Sequence, residues 1–467
     1  MTPRDISAED AGQPELPELE EPLPAAAPQG TSLSATEPAP TNDHAGGISH
    51  AWRALRAPNF RLFFSGQSIS LIGTWMTRIA TSWLVYRLTG SAWLLGTVSF
   101  MGQIPTFLIA PFAGVWVDRW NKRTVLVWTQ ALAAVQSLAL AALTLTHRIT
   151  IADILALSAM QGLINAFDMP GRQAFMVEMV DDKRDLGNAI ALNSSIVNLA
   201  RLIGPSLAGV VIALYGEGWC FLVDGISYFA VIASLLMMHL RPLLTPRRVD
   251  TMFEQLREGW QYITNFLPIR NLLLLFAVVS LMGMPYTVLM PVFASQVLHG
   301  GPHTLGFLMG AAGVGALIAA VQLALRKSVK GLLRMVPISA AVFGAGLIAF
   351  GFSHILWLSL ALMLVVGFGM MQGMAATNTI IQTLAPADKR GRVMSFYTMA
   401  FVGMAPFGSL LAGGLAHVLT ASWTVIITGS CCILGAAWFW RQMGAVRDAM
   451  RPVYRELGIT RPAPETN

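Results

Sequence analysis

Long apolar runs, separated by short polar or basic turns, fill the chain from residue 62 to residue 440. Twelve of them are long enough to cross ~30 Å of hydrocarbon at ~1.5 Å of helical rise per residue. They cover 62–86, 92–117, 124–146, 149–168, 188–214 and 220–240, then 271–297, 304–325, 335–353, 355–377, 393–419 and 421–440. A segment in lipid must satisfy its own backbone polar groups, so each run reads as a helix. The pattern predicts an all-α integral membrane protein with six segments on either side of a polar connection.

The flanks differ from this core. Residues 1–52 are acidic and proline-rich, with Arg4 the one basic residue before position 50, and read as a disordered tail. The start is neither basic nor followed by an apolar core, so it is not a signal peptide. The remainder divides into an N-terminal half (53–240), a linker (241–270), a C-terminal half (271–441) and a second tail (442–467). Within the linker, Phe253, Leu256, Trp260 and Ile263 recur at helical spacing beside Glu254, Arg257 and Glu258. That stripe predicts an amphipathic helix on the inner membrane face or against the bundle.

Composition agrees. Charged residues are 12% of the chain and hydrophobic ones 54%, whereas soluble domains carry ~25% charge. The net charge of +6 raises a nucleic-acid reading, but the basic residues sit in short loops and near the termini without a basic face, which excludes it. Their placement instead sets orientation. With the N-terminus inside, 27 Lys and Arg fall in inner segments, and only Arg87 and Arg148 in outer ones. Both termini are therefore expected in the cytoplasm. Cys220, Cys431 and Cys432 all fall in apolar segments and read as packing residues.

An internal repeat accompanies the division. Ile203-Gly204-Pro205-Ser206-Leu207-Ala208-Gly209 and Phe407-Gly408-Ser409-Leu410-Leu411-Ala412-Gly413 are similar at an offset of 204 residues. Two related halves are what alternating access requires.

Between the second and third segments stands Gly114-Val115-Trp116-Val117-Asp118-Arg119-Trp120-Asn121-Lys122-Arg123. Charges this dense must sit in water, so the chain turns back there. Glycine followed by D-R-x-x-x-R resembles the inner-gate loop of the major facilitator superfamily of transporters. The branch that includes enterobactin and other siderophore exporters, with macrolide-type efflux proteins, is similar in further stretches. These are Asn59-Phe60-Arg61-Leu62-Phe63, Pro170-Gly171-Arg172-Gln173-Ala174-Phe175, Asn188-Ala189-Ile190-Ala191-Leu192-Asn193-Ser194, Glu258-Gly259, and Gly306, Gly310, Gly313 and Gly315.

The resemblance implies roles for named residues. Gly114 would let the second segment approach the eleventh, Asp118 would brace the start of the eleventh, and Arg123 would pair with Asp168; Arg119 belongs to the same gate. Gly204, Pro205 and Gly209 resemble the family's helix 5 export element, with Ala208 where the pattern has glycine; a plain proline kink is the simpler reading. The cavity would be lined by the first, fourth, seventh and tenth segments.

Candidates for substrate contact or coupling are Arg78, Arg201 and Asp224, charged within apolar segments and marking either the substrate path or a structural pair, together with Trp75, Tyr286, Gln372 and Asn378. If protons drive transport, the carrier acid would be Asp224 or Asp168. His299 and His303 flank Gly300-Gly301-Pro302, which breaks any helix, so no metal site is predicted. The sequence holds no G-x-x-x-x-G-K-[ST] loop or catalytic motif. The expectation is thus a cofactor-free, monomeric inner-membrane transporter and not an enzyme. It would use the proton-motive force to export a medium-sized amphipathic organic molecule such as a siderophore. Broad multidrug efflux is the alternative; an importer and a non-transporting scaffold or sensor are lesser ones.

Overall fold

The computed structural model describes residues 53–180, 185–239, 252–326, 328–329, 331–386 and 389–457. The acidic tail (1–52) and the end of the second tail lie outside these residues, as do the first residues of the linker.

After a 3-10 turn at Arg53–Arg56, the first half comprises α1 (Pro58–Thr89), α2 (Ala92–Arg119), α3 (Lys122–Leu145), α4 (Ile151–Met179), α5 (Leu186–Tyr215) and α6 (Glu217–Met237). The linker helix is α7 (Met252–Asn265). The second half comprises α8 (Leu267–Val297), α9 (Pro302–Ala324), α10 (Leu332–Phe352), α11 (Leu356–Leu384), α12 (Arg390–Val418) and α13 (Ala421–Glu456).

Eleven of the described helices are long and apolar enough to cross a membrane. The described residues hold no strand, and the bundle has a twelfth helix, α1, which carries Arg61, Arg78 and Arg87 yet is 32 residues long. It packs against α5 and α6 inside the first half.

Local signals place the helix ends. Ser91, Asn121 and Thr420 cap α2, α3 and α13, their side-chain oxygens accepting from Leu94, Thr124 and Trp423 N–H at 3.3, 3.1 and 3.3 Å. Thr150 and Asp153 form a reciprocal capping box on α4. Gly90, with φ at 61°, closes α1 in the left-handed conformation.

Two elements depart from regular helix. α8 contains π-helical turns at Val279–Gly283 and Phe293–Val297, on either side of Pro285 and Pro291. α12 breaks at Gly403, just before Met404 and Pro406. The last helix also differs from expectation. α13 continues to Glu456, well past the predicted end of the membrane segment, because Val446 and Met450 are buried against the second half.

We call the loop end bearing most of the lysines and arginines the basic end, and the opposite one the far end. The halves meet near the far end through two related crossings. A Cβ on Gly209 (α5) would stand 3.0 Å from Gly306 Cα (α9), and one on Gly413 (α12) 2.9 Å from Gly96 Cα (α2). Farther toward the basic end, Phe107 packs on Phe407 with ring centroids 5.7 Å apart. Beyond that the halves part: a Cβ on Gly114, Gly187 or Gly391 would meet nothing within 4 Å among the described residues. The predicted close approach at Gly114 is therefore absent in this conformation. Contact is concentrated at the far end, and the two helices diverge below it.

Candidate functional site

Between the halves lies a cavity of about 450 Å3. Its walls differ in chemistry. The first half contributes Thr74, Trp75 and Arg78 from α1, Gln161 and Asn165 from α4, Arg201 from α5 and Asp224 from α6. The second half contributes Met284 and Tyr286 from α8, Met309 from α9 and Met370 from α11. Tyr286 is there because the irregular turns around Pro285 rotate α8 away from straight helical register.

Trp75 anchors the charged wall. The guanidinium carbon of Arg78 lies 5.0 Å from its ring centroid and that of Arg201 lies 5.5 Å away. Gly204 makes this possible, since a Cβ there would stand 2.5 Å from Trp75 Cβ. The helix 5 element is thus a double contact surface: Gly204 seats Trp75, and Gly209 makes the crossing with Gly306.

Asp224 is 1% exposed and its partners are hydroxyls. Ser137 donates to it at 2.9 Å and Thr74 at 3.5 Å, while Thr74 also meets the Tyr228 hydroxyl at 3.3 Å. Gly73 permits the approach, because its Cβ would lie 2.9 Å from Asp224 Oδ1. Neither arginine forms an ion pair with Asp224.

The basic-end cluster is arranged otherwise than expected. Asp168 pairs with Arg172, one turn along α4, and also accepts from Thr129 at 3.0 Å and Gln130 at 2.7 Å. Arg123 instead donates to the Leu236 carbonyl in the last turn of α6. The expected Arg123–Asp168 pair is therefore corrected. A partner four residues away on the same helix face needs no long-range register, and a helix C-terminus is itself an attractive site for a cation. Asp168, already neutralised by Arg172, is the weaker candidate for a proton-carrying acid.

Lys122 pairs with Glu178 at 2.6 Å, so this cluster ties the first half to itself. Arg119 is exposed at the end of α2, and the Asp118 side chain lies outside the described ones.

Two expected cavity residues are elsewhere. Gln372 is buried between helices of the second half, accepting from Ser339 at 3.0 Å and donating to Gln322 at 3.2 Å. Asn378 lies nearer the basic end and accepts from Gln382 on its own helix. The first, fourth, seventh and tenth segments (α1, α4, α8 and α11) line the cavity as expected, but so do α2, α3, α5, α6, α9 and α12, through Gln103, Gln136, Arg201, Asp224, Met309 and Ser409. The sequence reading missed Thr74, Asn165, Ser137 and Tyr228. Gln161 and Asn165 stand four residues apart and bond at 3.1 Å, so a polar stripe on α4 was the available signal.

The model of the transmembrane secretion effector family covers residues 49–452. The chain belongs to that family. It is 28% identical to the staphyloferrin A transporter of Staphylococcus aureus over 383 residues, 81% of this chain and 95% of that protein. It is 26% identical to the multidrug efflux pump Tap of Mycobacterium tuberculosis over 418 residues, 85% and 98% of the two chains. Identity to the enterobactin exporter EntS of Citrobacter koseri is 23% over 399 residues, 85% and 94%.

Among solved structures, a bacterial homologue of the lysosomal transporter Spinster, captured inward-facing and unoccupied, superposes with a TM-score of 0.65. Identity there is 12%, over 86% of this chain and 99% of that one, so the likeness is one of fold. This family member is a multi-pass membrane protein and a secondary transporter of the major facilitator type, not an enzyme.

Proposed function

We propose that this transporter exports a medium-sized amphipathic organic molecule, such as a siderophore, across the bacterial inner membrane at the expense of the proton gradient. The cavity carries the reading. At about 450 Å3 it suits a molecule larger than an ion, and it opposes a charged wall to a methionine-rich one. The distribution of lysine and arginine supports cytoplasmic termini, which makes the basic end the inner one and the conformation inward-open. A cavity open inward with its outer crossings closed is ready to load from the cytoplasm.

Asp224 is the proposed coupling acid, because it faces the cavity and has hydroxyl partners rather than a cation. Protonation on one side and release on the other would bias the two orientations of the halves. The transporter acts as a monomer in this reading, both halves of the cavity coming from one chain. Similarity to the staphyloferrin A transporter and the enterobactin exporter supports a siderophore cargo. Similarity to Tap, with the Met309 and Met370 wall, favours broad multidrug efflux as the second reading.

Metabolite profiling of cells and medium tests these, comparing wild type with a deletion strain under iron limitation. A chelator lost from the medium and accumulated inside supports the first reading. Unchanged medium with retained lipophilic dyes supports the second. Counterflow of inward polarity, with neither effect, overturns export.

A further inference from the structure

Arg78 and Arg201 face the cavity with no carboxylate partner among the described residues. The other cavity charge, Asp224, is taken up by Ser137 and Thr74. Ion pairs of the described residues lie elsewhere, as in Arg87–Glu217 and Lys122–Glu178. Two like charges beside one indole repel each other, and the apolar walls of a membrane bundle strengthen that repulsion. Such a pair is retained at lower cost if something anionic arrives to neutralise it.

We propose that the cavity recognises an organic anion with two acidic groups, one on Arg78 and one on Arg201, its flat or apolar body lying along Trp75 and against Met309 and Met370. This deepens the export reading and rests on it. Three observations converge. Both guanidiniums are held beside the same ring, which gathers two positive groups on one surface. Trp75 is itself held by Gly204, so the spacing is preorganised and little ordering is left for the ligand to cause. The opposing wall, which Tyr286 helps to line, has no ionised side chain. The same charges select against lipophilic cations, which would meet two uncompensated positive groups.

The test uses the full chain in lipid nanodiscs and calorimetric titration. The probes are naphthalene-2,6-dicarboxylate, its dimethyl ester, and ethidium as a lipophilic cation. The diacid is expected to bind at least about tenfold more tightly than the ester, with ethidium failing to compete. Arg78→Gln and Arg201→Gln should each weaken the diacid about tenfold without changing the ester. Equal affinity for diacid and ester, absence of binding by either, or competition by ethidium would each overturn the proposal in the wild-type protein, without recourse to variants. So would an Arg78→Gln, Arg201→Gln double variant of unchanged thermal stability that binds the diacid as before. Efflux from everted vesicles separates the two levels: dye pumping by a protein indifferent to the diacid keeps export and removes the dianion, whereas no transport of any probe removes export itself.

Discussion

Gly209 and Gly306 meet across the far-end crossing of α5 and α9, where a Cβ on either would come within 3.0 Å of the other's Cα. Gly413 and Gly96 repeat the contact between α12 and α2, and the carbonyls involved repeat as well: Pro205 faces Gly306 as Ser409 faces Gly96, each 2.6 Å from the position of a Cβ. The 204-residue repeat is thus a pair of hinge-like contacts that hold one side of the transporter shut. Small residues let the backbones approach, and a single methyl group has nowhere to go because backbone rather than a flexible side chain stands in its way.

Substituting these glycines should open the far end. Gly209→Val and Gly413→Val each force overpacking of roughly 1–3 kcal/mol on the closed crossing alone, enough to shift a two-state balance by about 5- to 150-fold. Spin labels at Thr146 and Ile355, in far-end loops of the two halves, should report a longer distance distribution and transport should fall. Unchanged distances with normal transport would show that the crossings do not control closure.

Asp224→Asn separates coupling from binding. The amide keeps the size of the group and one acceptor oxygen beside Ser137 and Thr74, presents an N–H2 donor in place of the other oxygen, and cannot carry a proton. Proton-driven efflux should drop by at least about 100-fold, while substrate exchange without a gradient persists. Efflux that still follows the proton gradient would move the coupling role elsewhere.

Arg172, not Arg123, should prove to be the partner that Asp168 depends on. Removing it by Arg172→Gln leaves a nearly buried carboxylate without its cation and should cost about 3–5 kcal/mol of stability, with Arg172→Gln, Asp168→Asn recovering part of the loss. Arg123→Gln removes a single bond to the Leu236 carbonyl and should cost only about 1–2 kcal/mol. Thermal unfolding of the purified variants checks the order. An equal or reversed effect would restore Arg123 as the partner.

Gly204→Ala should displace Trp75. The added methyl group would stand 2.5 Å from Trp75 Cβ, so α1 and α5 must separate or the ring must turn, and both arginines lose their common surface. The expected result is weaker substrate binding with folding preserved, seen as a raised KM at nearly unchanged kcat. Unaltered KM would mean that Trp75 is not part of the recognition surface.

Much of this was legible in the chain itself. Apolar run lengths located the helices because a bilayer leaves a backbone few alternatives, and the repeat placed the related segments of the two halves. Arg78, Arg201 and Asp224 stood out because a charge in an apolar segment needs a reason. What was not legible was pairing. Asp168 has Arg123 and Arg172 within reach of any topological sketch, and only packed geometry chooses between them. Gln372 looked like a cavity residue by position and composition, yet it turns toward Ser339 and Gln322 because helix rotation, unlike helix length, is set by neighbours.

The sequence by itself determined the number of halves, the course of the helices and the presence of unusual charges, since these follow from the cost of placing polar groups in hydrocarbon. Only the tertiary structure decided that two arginines share one tryptophan, that Asp224 stands apart from them, and that glycines close one end while Gly114 stays free. Those outcomes depend on where helices distant in sequence cross and how each is rotated, and no local stretch of residues carries that information.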